Sequence, residues 1–234
     1  MTARATPMLI GHRGAPRERP ENTLPSFLRA LELQADGIEL DVHCTKDRVV
    51  VVHHDEIPRA TPPSGRLAGK RIDALTFDEL QGFSVRGLAL ISTLAEALAV
   101  IKGRADVFIE LKGERIEREV VDVIRASIAP QRCAIHSFDH AQITRARTLA
   151  PEIRGGILFD RPVSDAAAAM RTSDALDVWP SREHVTGALV RAVHDAGGRV
   201  IPWTVNDPKQ ATALAALHVD GLCTDFLPVL RTAL

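Results

Sequence analysis

The sequence predicts an α/β protein folded as a (β/α)₈ (TIM) barrel, and three observations lead to that prediction. Short runs rich in β-branched residues alternate with longer segments of helical period, as in βα units around a parallel sheet. About eight strand-like runs and eight helical segments alternate along the 234 residues, a length that suits a single barrel domain. An open doubly wound sheet is the alternative, but no Gly-x-Gly-x-x-Gly turn follows the first strand.

Each predicted strand is a short apolar run, and several of them end in charged residues. Runs of this length bounded by turn-forming residues are typical of buried parallel strands. The predicted strands are Met8–His12, Gly37–Val42, Asp106–Leu111, Cys133–Ser137, Gly155–Phe159, Ala175–Trp179, Arg199–Thr204 and Asp220–Thr224.

The helices between these strands carry recognisable start and stop signals. Pro25 lies in the first turn of the first helix, where a missing N–H is harmless, and Thr93 with Glu96 forms a capping-box pattern. Asp207 caps a later helix. The predicted helices are Thr23–Leu33, Thr93–Val100, Glu114–Ile128, Asp139–Leu149, Ser164–Arg171, Val185–Ala196, Asn206–Leu217 and Phe226–Leu234.

Two segments do not fit a plain barrel. Arg48–Asp55 is strand-like and follows the second strand too closely for a parallel crossover, so we expect an antiparallel return. A two-residue turn would then place His54 opposite Asp41. Residues 56–91 are rich in Pro, Gly and Arg, with one helical stretch at Thr76–Gln81. Because loops this long are usually functional, we expect an insertion over the barrel mouth.

Composition excludes several classes of protein. The net charge of −1 and the pI of about 6.8 do not suggest nucleic acid or an anionic membrane as a partner. No apolar run approaches the roughly 20 residues of a membrane span, and the start lacks a signal-peptide pattern. Cys44, Cys133 and Cys223 fit buried thiols better than disulfides. We therefore expect a cytoplasmic protein, of unspecified oligomeric state.

The stretch GIELDVH (37–43) is unusual for a barrel strand. Ile38, Leu40 and Val42 share one face, which leaves Glu39 and Asp41 side by side on the other. Adjacent carboxylates on one face of a strand repel each other. A bound cation would remove this repulsion.

Other charged residues also fall at the carboxyl ends of predicted strands, which is the active-site end of a barrel. Glu39, Asp41 and Glu110 offer oxygen ligands suited to one hard divalent cation, Mg²⁺ or Ca²⁺. With that cation, Arg13 and Lys112 would form a positive pocket suited to a phosphate.

Two histidines are candidates for general acid and base, because imidazole titrates near neutrality. His12 follows the first strand, and His54 ends the antiparallel return. The other histidines are interpreted as structural: His43, His53, His136, His140, His184, His194 and His218.

Six segments combine histidines, carboxylates and glycines in a specific order. They are GHRGAPRERPENTLPSF (11–27), ADGIELDVHCTKDRVVVVHHDE (35–56), FIELKG (108–113), HSFD (136–139), WTVND (203–207) and DGLCTD (220–225). Together they resemble the glycerophosphodiester phosphodiesterase family along nearly the whole chain. The resemblance implies a barrel with an insertion after the second strand. It also implies metal-dependent hydrolysis of substrates such as glycerophosphocholine and glycerophosphoethanolamine to glycerol 3-phosphate and an alcohol.

The resemblance also implies residue roles, carried over motif by motif. His12 and His54 would be the catalytic acid/base pair. Trp203 would line the substrate site, and Glu21 and Asn22 would brace the first loop. The implied metal ligands are Glu39, Asp41 and Glu110, and the implied phosphate contacts are Arg13 and Lys112.

Other functions agree less well with the sequence. The segment after His54 is shorter and richer in proline than family members often have, which leaves the alcohol group of the substrate open. A lysophospholipase D-like enzyme needs an apolar entrance, but the chain has 4% aromatic residues and no tyrosine. A metal-dependent sugar isomerase or aldolase would leave the paired His-Arg-Gly and His-Asp motifs unexplained. A non-catalytic phosphate- or metal-binding barrel would not need both histidines.

Overall fold

The computed structural model describes residues 6–59, 61–62 and 65–234. The predicted insertion contains residues 60, 63 and 64, which lie outside the described ranges. Among the described helices, none combines the length and the apolar character needed to cross a membrane. All three cysteines are buried, as their spacing predicted.

The described strands follow the predicted order. They are β1 (Met8–Gly11), β2 (Gly37–Cys44), β3 (Val50–Val52), β4 (Ser84–Val85), β5 (Ala89–Leu90), β6 (Asp106–Leu111), β7 (Cys133–Ser137), β8 (Arg154–Phe159), β9 (Asp177–Pro180), β10 (Arg199–Val200) and β11 (Gly221–Thr224). The helices alternate with them. They are α1 (Leu24–Glu32), α2 (Phe77–Gln81), α3 (Leu94–Ile101), α4 (Glu117–Arg125), α5 (His140–Leu149), α6 (Ala166–Thr172), α7 (Gly187–Asp195), α8 (Pro208–Ala216) and α9 (Leu227–Ala233).

Eight parallel strands form a barrel, which confirms the predicted fold class. Neighbouring strands run in the order β10-β9-β8-β7-β6-β2-β1-β11, and β3 pairs antiparallel with β2. Hydrogen bonds join the two ends of this series, because the Val200 carbonyl accepts from Asp220 N at 2.9 Å and the Pro202 carbonyl from Cys223 N at 3.0 Å. The predicted strand Arg199–Thr204 shortens to two residues, since Pro202 has no N–H for the ladder.

Strand alternation divides the barrel into two apolar cores and one polar layer. Ile38, Leu40 and Val42 point outward into the large core between the strands and helices. Phe108 and Trp179 belong to a smaller cluster inside the barrel. Inward residues alternate along a strand, and on β6 and β7 the inward positions that follow this cluster toward the carboxyl ends are Glu110 and His136. The barrel is therefore apolar inside and charged at its mouth.

Local signals explain where several helices begin. The Thr93–Glu96 capping box is present at the start of α3, and the Asp207 side chain accepts hydrogen bonds from the backbone of residues 209 and 210. The predicted helix Glu114–Ile128 is shorter than expected. Arg115 adopts φ 52, a left-handed conformation that a helix cannot include, so α4 starts after it.

The predicted pairing of Asp41 with His54 is wrong by one residue. Val42 pairs with Val52, and His53 N donates to the Asp41 carbonyl at 3.0 Å, so His53 lies opposite Asp41. The connecting turn has three residues rather than two, because Thr45 N donates to the Val49 carbonyl. Arg48 adopts φ 65 in the position where such turns usually have glycine.

The insertion has an apolar core of its own. The predicted helical stretch is present as α2, with a capping box between Thr76 and Glu79, and β4 pairs with β5 as a small hairpin. These elements pack on the return strand β3. The cluster contains Val51, Leu67, Ile72, Leu75, Leu80, Phe83, Val85 and Ile91. The location of the insertion over the barrel mouth stays a prediction.

Two glycines with positive φ offer a matched test of packing in the first loop. Gly14 has φ +92, and an added Cβ would lie 2.5 Å from Ser26 Oγ and 2.8 Å from Ser26 C. Gly197 has φ +81, and its Cβ would enter open space among the described residues. Gly197→Ala should therefore lower the free energy of unfolding by about 1–2 kcal/mol through backbone strain alone. Gly14→Ala should cost a further ~1–3 kcal/mol because of crowding. Urea unfolding measures both, and equal losses would contradict the steric argument.

Candidate active site

The strand register gathers polar residues at the barrel mouth. Asp41 on β2 pairs with Glu110 on β6, and Glu110 pairs with His136 on β7. Glu39 lies two residues before Asp41 on the same face of β2. Three neighbouring strands therefore bring these side chains into one small volume.

A buried group within this volume could hold a metal ion. Ligand atoms of Glu39, Glu110 and His136 all lie within 4.8 Å of one another. His136 Nε2 is 3.8 Å from Glu39 Oε1, and neither ring nitrogen of His136 has a hydrogen-bond partner among the described residues. Sequence reasoning interpreted His136 as structural. The available signal was its inward position on the strand beside Glu110.

Asp41 lies outside that group of three, and its Oδ2 is held by neighbouring side chains. Asn22 Nδ2 donates to Asp41 Oδ2 at 2.8 Å, and Arg13 Nε lies 3.1 Å from the same oxygen. Burial opposes ionisation, but the neighbouring positive charges, Arg13 first, hold the pKa of Asp41 below its usual range. Asp41 Oδ1 is buried and has no hydrogen-bond partner in the described part of the chain.

The first loop is tied to the carboxylates through Arg13. Its backbone N donates to Glu39 Oε2 at 3.0 Å, and its Nη1 donates to Glu21 Oε1 at 2.9 Å. Asn22 contacts the same site from the other end of the loop, since its Oδ1 accepts from Asp41 N at 3.2 Å. The structure thus brings Glu21 and Asn22 beside Arg13 and Asp41.

Glu110 shows the electrostatic problem of the site most directly. Burial, and then the charge of Asp41, raises the pKa of Glu110 to about 7. Lys112 acts in the opposite direction, with its Nζ 3.0 Å from Glu110 Oε1. Without further positive charge, the carboxylates of this site therefore do not all ionise easily.

His12 is held by a carboxylate from the far end of the chain. Its Nδ1 lies 2.7 Å from Asp225 Oδ1, and Asn206 Nδ2 donates to Asp225 Oδ2 at 2.8 Å. Burial favours the neutral ring, but the hydrogen bond to Asp225 and the charge of Glu39 outweigh it and raise the pKa of His12. Asp225 and Asn206 were absent from the predicted site residues, although both lie within the quoted motifs.

His54 is also held by a carboxylate, which here belongs to the next residue in the chain. Its Nδ1 lies 2.8 Å from Asp55 Oδ1, and Arg59 forms an ion pair with the other oxygen of Asp55. The adjacent His53 is buried, which lowers its pKa to about 4, and its Nε2 accepts from Arg59 N at 3.2 Å. His53 is therefore a neutral acceptor, while His54 keeps its second ring nitrogen for other contacts.

Aromatic residues lie beside the charged group. Trp203 Nε1 donates to the Trp179 carbonyl at 3.0 Å, and the Trp203 ring meets Phe138 edge-to-face at 5.4 Å. Lys112 Nζ lies 5.8 Å from the centre of the Phe138 ring. Phe138 therefore lies close to both Trp203 and Lys112, the predicted phosphate contact. Phe138 is not among the predicted site residues.

Known proteins resemble the chain along most of its length. The glycerophosphodiester phosphodiesterase of Caldanaerobacter subterraneus subsp. tengcongensis is 32% identical over 233 residues, which cover 93% of each chain. An Oleispira antarctica phosphodiesterase, solved in complex with the product sn-glycerol-3-phosphate, superposes with a TM-score of 0.85 at 25% identity, covering 97% of this chain and 96% of that one. A glycerophosphodiester phosphodiesterase from Thermotoga maritima has the same fold, with a TM-score of 0.82 at 23% identity, covering 97% of each chain.

The family model described as the glycerophosphoryl diester phosphodiesterase family matches residues 12–229. This range begins at His12 and includes Asp225, so it contains both histidine–carboxylate pairs and the buried carboxylates. The chain belongs to the glycerophosphoryl diester phosphodiesterase family, a family of phosphoric diester hydrolases, as its motifs predicted.

Proposed function

We propose that this protein hydrolyses glycerophosphodiesters, such as glycerophosphocholine and glycerophosphoethanolamine, to sn-glycerol 3-phosphate and an alcohol. The observation that carries the proposal is the pair of histidines at the barrel mouth, each with Nδ1 held by a carboxylate, beside a buried carboxylate group. The Oleispira antarctica phosphodiesterase, solved with the product sn-glycerol-3-phosphate, supports a small phosphodiester as the substrate.

Arg13 and Lys112 are the proposed contacts to the phosphate. Both side chains are largely buried at the mouth, at 17% and 21% exposure, and both contact carboxylates. A guanidinium and an ammonium placed there stabilise the negative charge that builds on the non-bridging oxygens during displacement.

A divalent cation, Mg²⁺ or Ca²⁺, is the proposed cofactor. The residues fit it, because Asp41 Oδ1 is an orphaned buried oxygen and Glu110 resists ionisation beside Asp41. Glu39, Asp41 and Glu110 would hold the ion through oxygen atoms, the ligands such cations prefer. When bound, it supplies Lewis-acid polarisation of a phosphoryl oxygen.

The two histidines divide the proton transfers. One deprotonates the nucleophile, which is water or the glycerol hydroxyl of the substrate, and the other protonates the leaving alkoxide. The raised pKa of His12 suits it to the second role, since its imidazolium persists to higher pH. Asp225 and Asp55 hold each ring through Nδ1, which leaves Nε2 for the reacting atoms.

His12→Ala and His54→Ala should each lower kcat for glycerophosphocholine by about 10²–10⁴-fold, because each removes a positioned proton-transfer group. A coupled assay for glycerol 3-phosphate measures turnover. His194→Ala is the matched control, since it removes a His–Asp pair of 2.9 Å with Asp220, which precedes β11 at the opposite barrel end. Near-normal turnover in both site variants would refute the acid/base assignment.

Metal binding can be measured without turnover, by titrating Mg²⁺ or Ca²⁺ into chelator-treated protein in a calorimeter. Glu110→Gln and Asp41→Asn should each weaken binding by at least about tenfold, because each removes an anionic ligand. Glu117→Gln is the control, since Glu117 is a buried carboxylate that pairs with Arg145 in the helix layer. If His136→Leu weakens binding more than Asp41→Asn does, the ligands are Glu39, Glu110 and His136 instead.

The role of Asp225 predicts a pH dependence. Since the folded-state pKa of His12 is raised from 6.5, protonation of His12 stabilises the fold below pH 6.5, and this contribution is lost as pH rises through the folded value. In Asp225→Asn, the carboxylate that stabilises the protonated His12 ring is lost, while burial still favours the neutral ring. The pKa of His12 should therefore fall. NMR titration of the His12 ring measures the shift, and an unchanged or higher pKa would contradict the assignment.

A further inference from the structure

His43 is a buried residue on the same face of β2 as the site carboxylates. Glu39, Asp41 and His43 alternate along that strand, and His43 is 8% exposed. The proposed mechanism uses the two carboxylates and leaves the histidine without a role. Polar groups buried at this depth usually serve a specific hydrogen bond.

That hydrogen bond reaches the backbone of His54. His43 Nε2 lies 3.0 Å from the carbonyl oxygen of His54. A carbonyl only accepts, so Nε2 carries the proton and donates, which sets the tautomer of a neutral His43 ring. Within residues 6–59, 61–62 and 65–234, the His43 ring is the only hydrogen-bond donor to this carbonyl.

The position of His54 in the chain makes this bond important. The strand β3 ends at Val52, and the bond from His53 N to the Asp41 carbonyl is the last backbone bond to β2. His54 follows this point, where the chain enters the insertion. The regular ladder therefore ends before it reaches the catalytic candidate.

One peptide unit connects the bond to the chemistry. The carbonyl of His54 and the N–H of Asp55 belong to the same planar peptide, so a donor on that carbonyl orients both residues. Asp55 in turn holds Nδ1 of the His54 ring at 2.8 Å. The bond from His43 is thus linked to the His54 imidazole by the peptide between His54 and Asp55 and by the Asp55 carboxylate.

We propose that His43 is a positioning residue for His54, which it holds through the hydrogen bond from Nε2 to the His54 carbonyl. The inference rests on the proposed function, because it takes His54 as a proton-transfer group. Small displacements of a reacting group lower turnover steeply, with a misplacement of ~1 Å costing about 10²-fold.

The test compares His43→Leu with His43→Gln. Leucine removes the donor, whereas the amide nitrogen of glutamine reaches about as far from Cβ as Nε2 does. For glycerophosphocholine, His43→Leu should lower kcat by about 10–10²-fold with KM within about threefold, and His43→Gln should recover most of that loss. Hydrogen exchange of the neighbouring His53 amide, which donates to the Asp41 carbonyl at 3.0 Å, should speed up in His43→Leu and stay close to wild type in His43→Gln.

His140→Leu is the control for a structural effect. His140 Nε2 makes a bond of the same type and length, 3.0 Å, to the Leu158 carbonyl on β8, which β7 and β6 separate from β2. It should lose stability comparable to that of His43→Leu but keep its kcat. Wild-type kcat in His43→Leu, or an equal loss in His43→Gln, would overturn the inference while the proposed function stands. A wild-type protein that releases no glycerol 3-phosphate would instead refute the proposed function.

Discussion

Repulsion among buried carboxylates is the constraint on which the mouth of this barrel depends. Glu39, Asp41 and Glu110 are all buried within the register of two adjacent strands. Three neighbouring groups offset that charge: the Arg13 guanidinium and the Asn22 amide contact Asp41, and the Lys112 ammonium contacts Glu110. Because isolated buried charges are costly, such an arrangement persists only with compensation. The fold therefore buries a group of carboxylates at the mouth whose mutual repulsion a cation would relieve.

On β6, an apolar core residue and a charged residue of the mouth lie two positions apart. Phe108 and Glu110 both point inward on β6, yet the first packs against Trp179 and the second belongs to the metal-suited group. Two residues along this strand thus separate the apolar interior of the barrel from the charged layer at its mouth. The charged mouth therefore lies directly above a buried apolar layer.

Much of this organisation was predictable from the sequence, for identifiable reasons. Asp106–Leu111 and Cys133–Ser137 match the predicted bounds because both are apolar runs with clear ends. The predicted hairpin register is wrong because Arg48 adopts a left-handed conformation, which is uncommon for residues other than glycine. His136 was not predicted because a single histidine on a strand is a weak signal until the strand register places it beside Glu110. Asp225 meets His12 across 213 positions of sequence, a contact that only the closed barrel creates.

The contact between His12 and Asp225 also has a consequence for how activity arises during folding. The two residues follow β1 and β11, the first and last strands of the barrel, which lie side by side. The His12 ring therefore finds its carboxylate only when the last strand has docked against the first. A partly assembled chain can contain every other element of the mouth and still lack an oriented His12. The orientation of the His12 ring is therefore coupled to the pairing of β11 with β1.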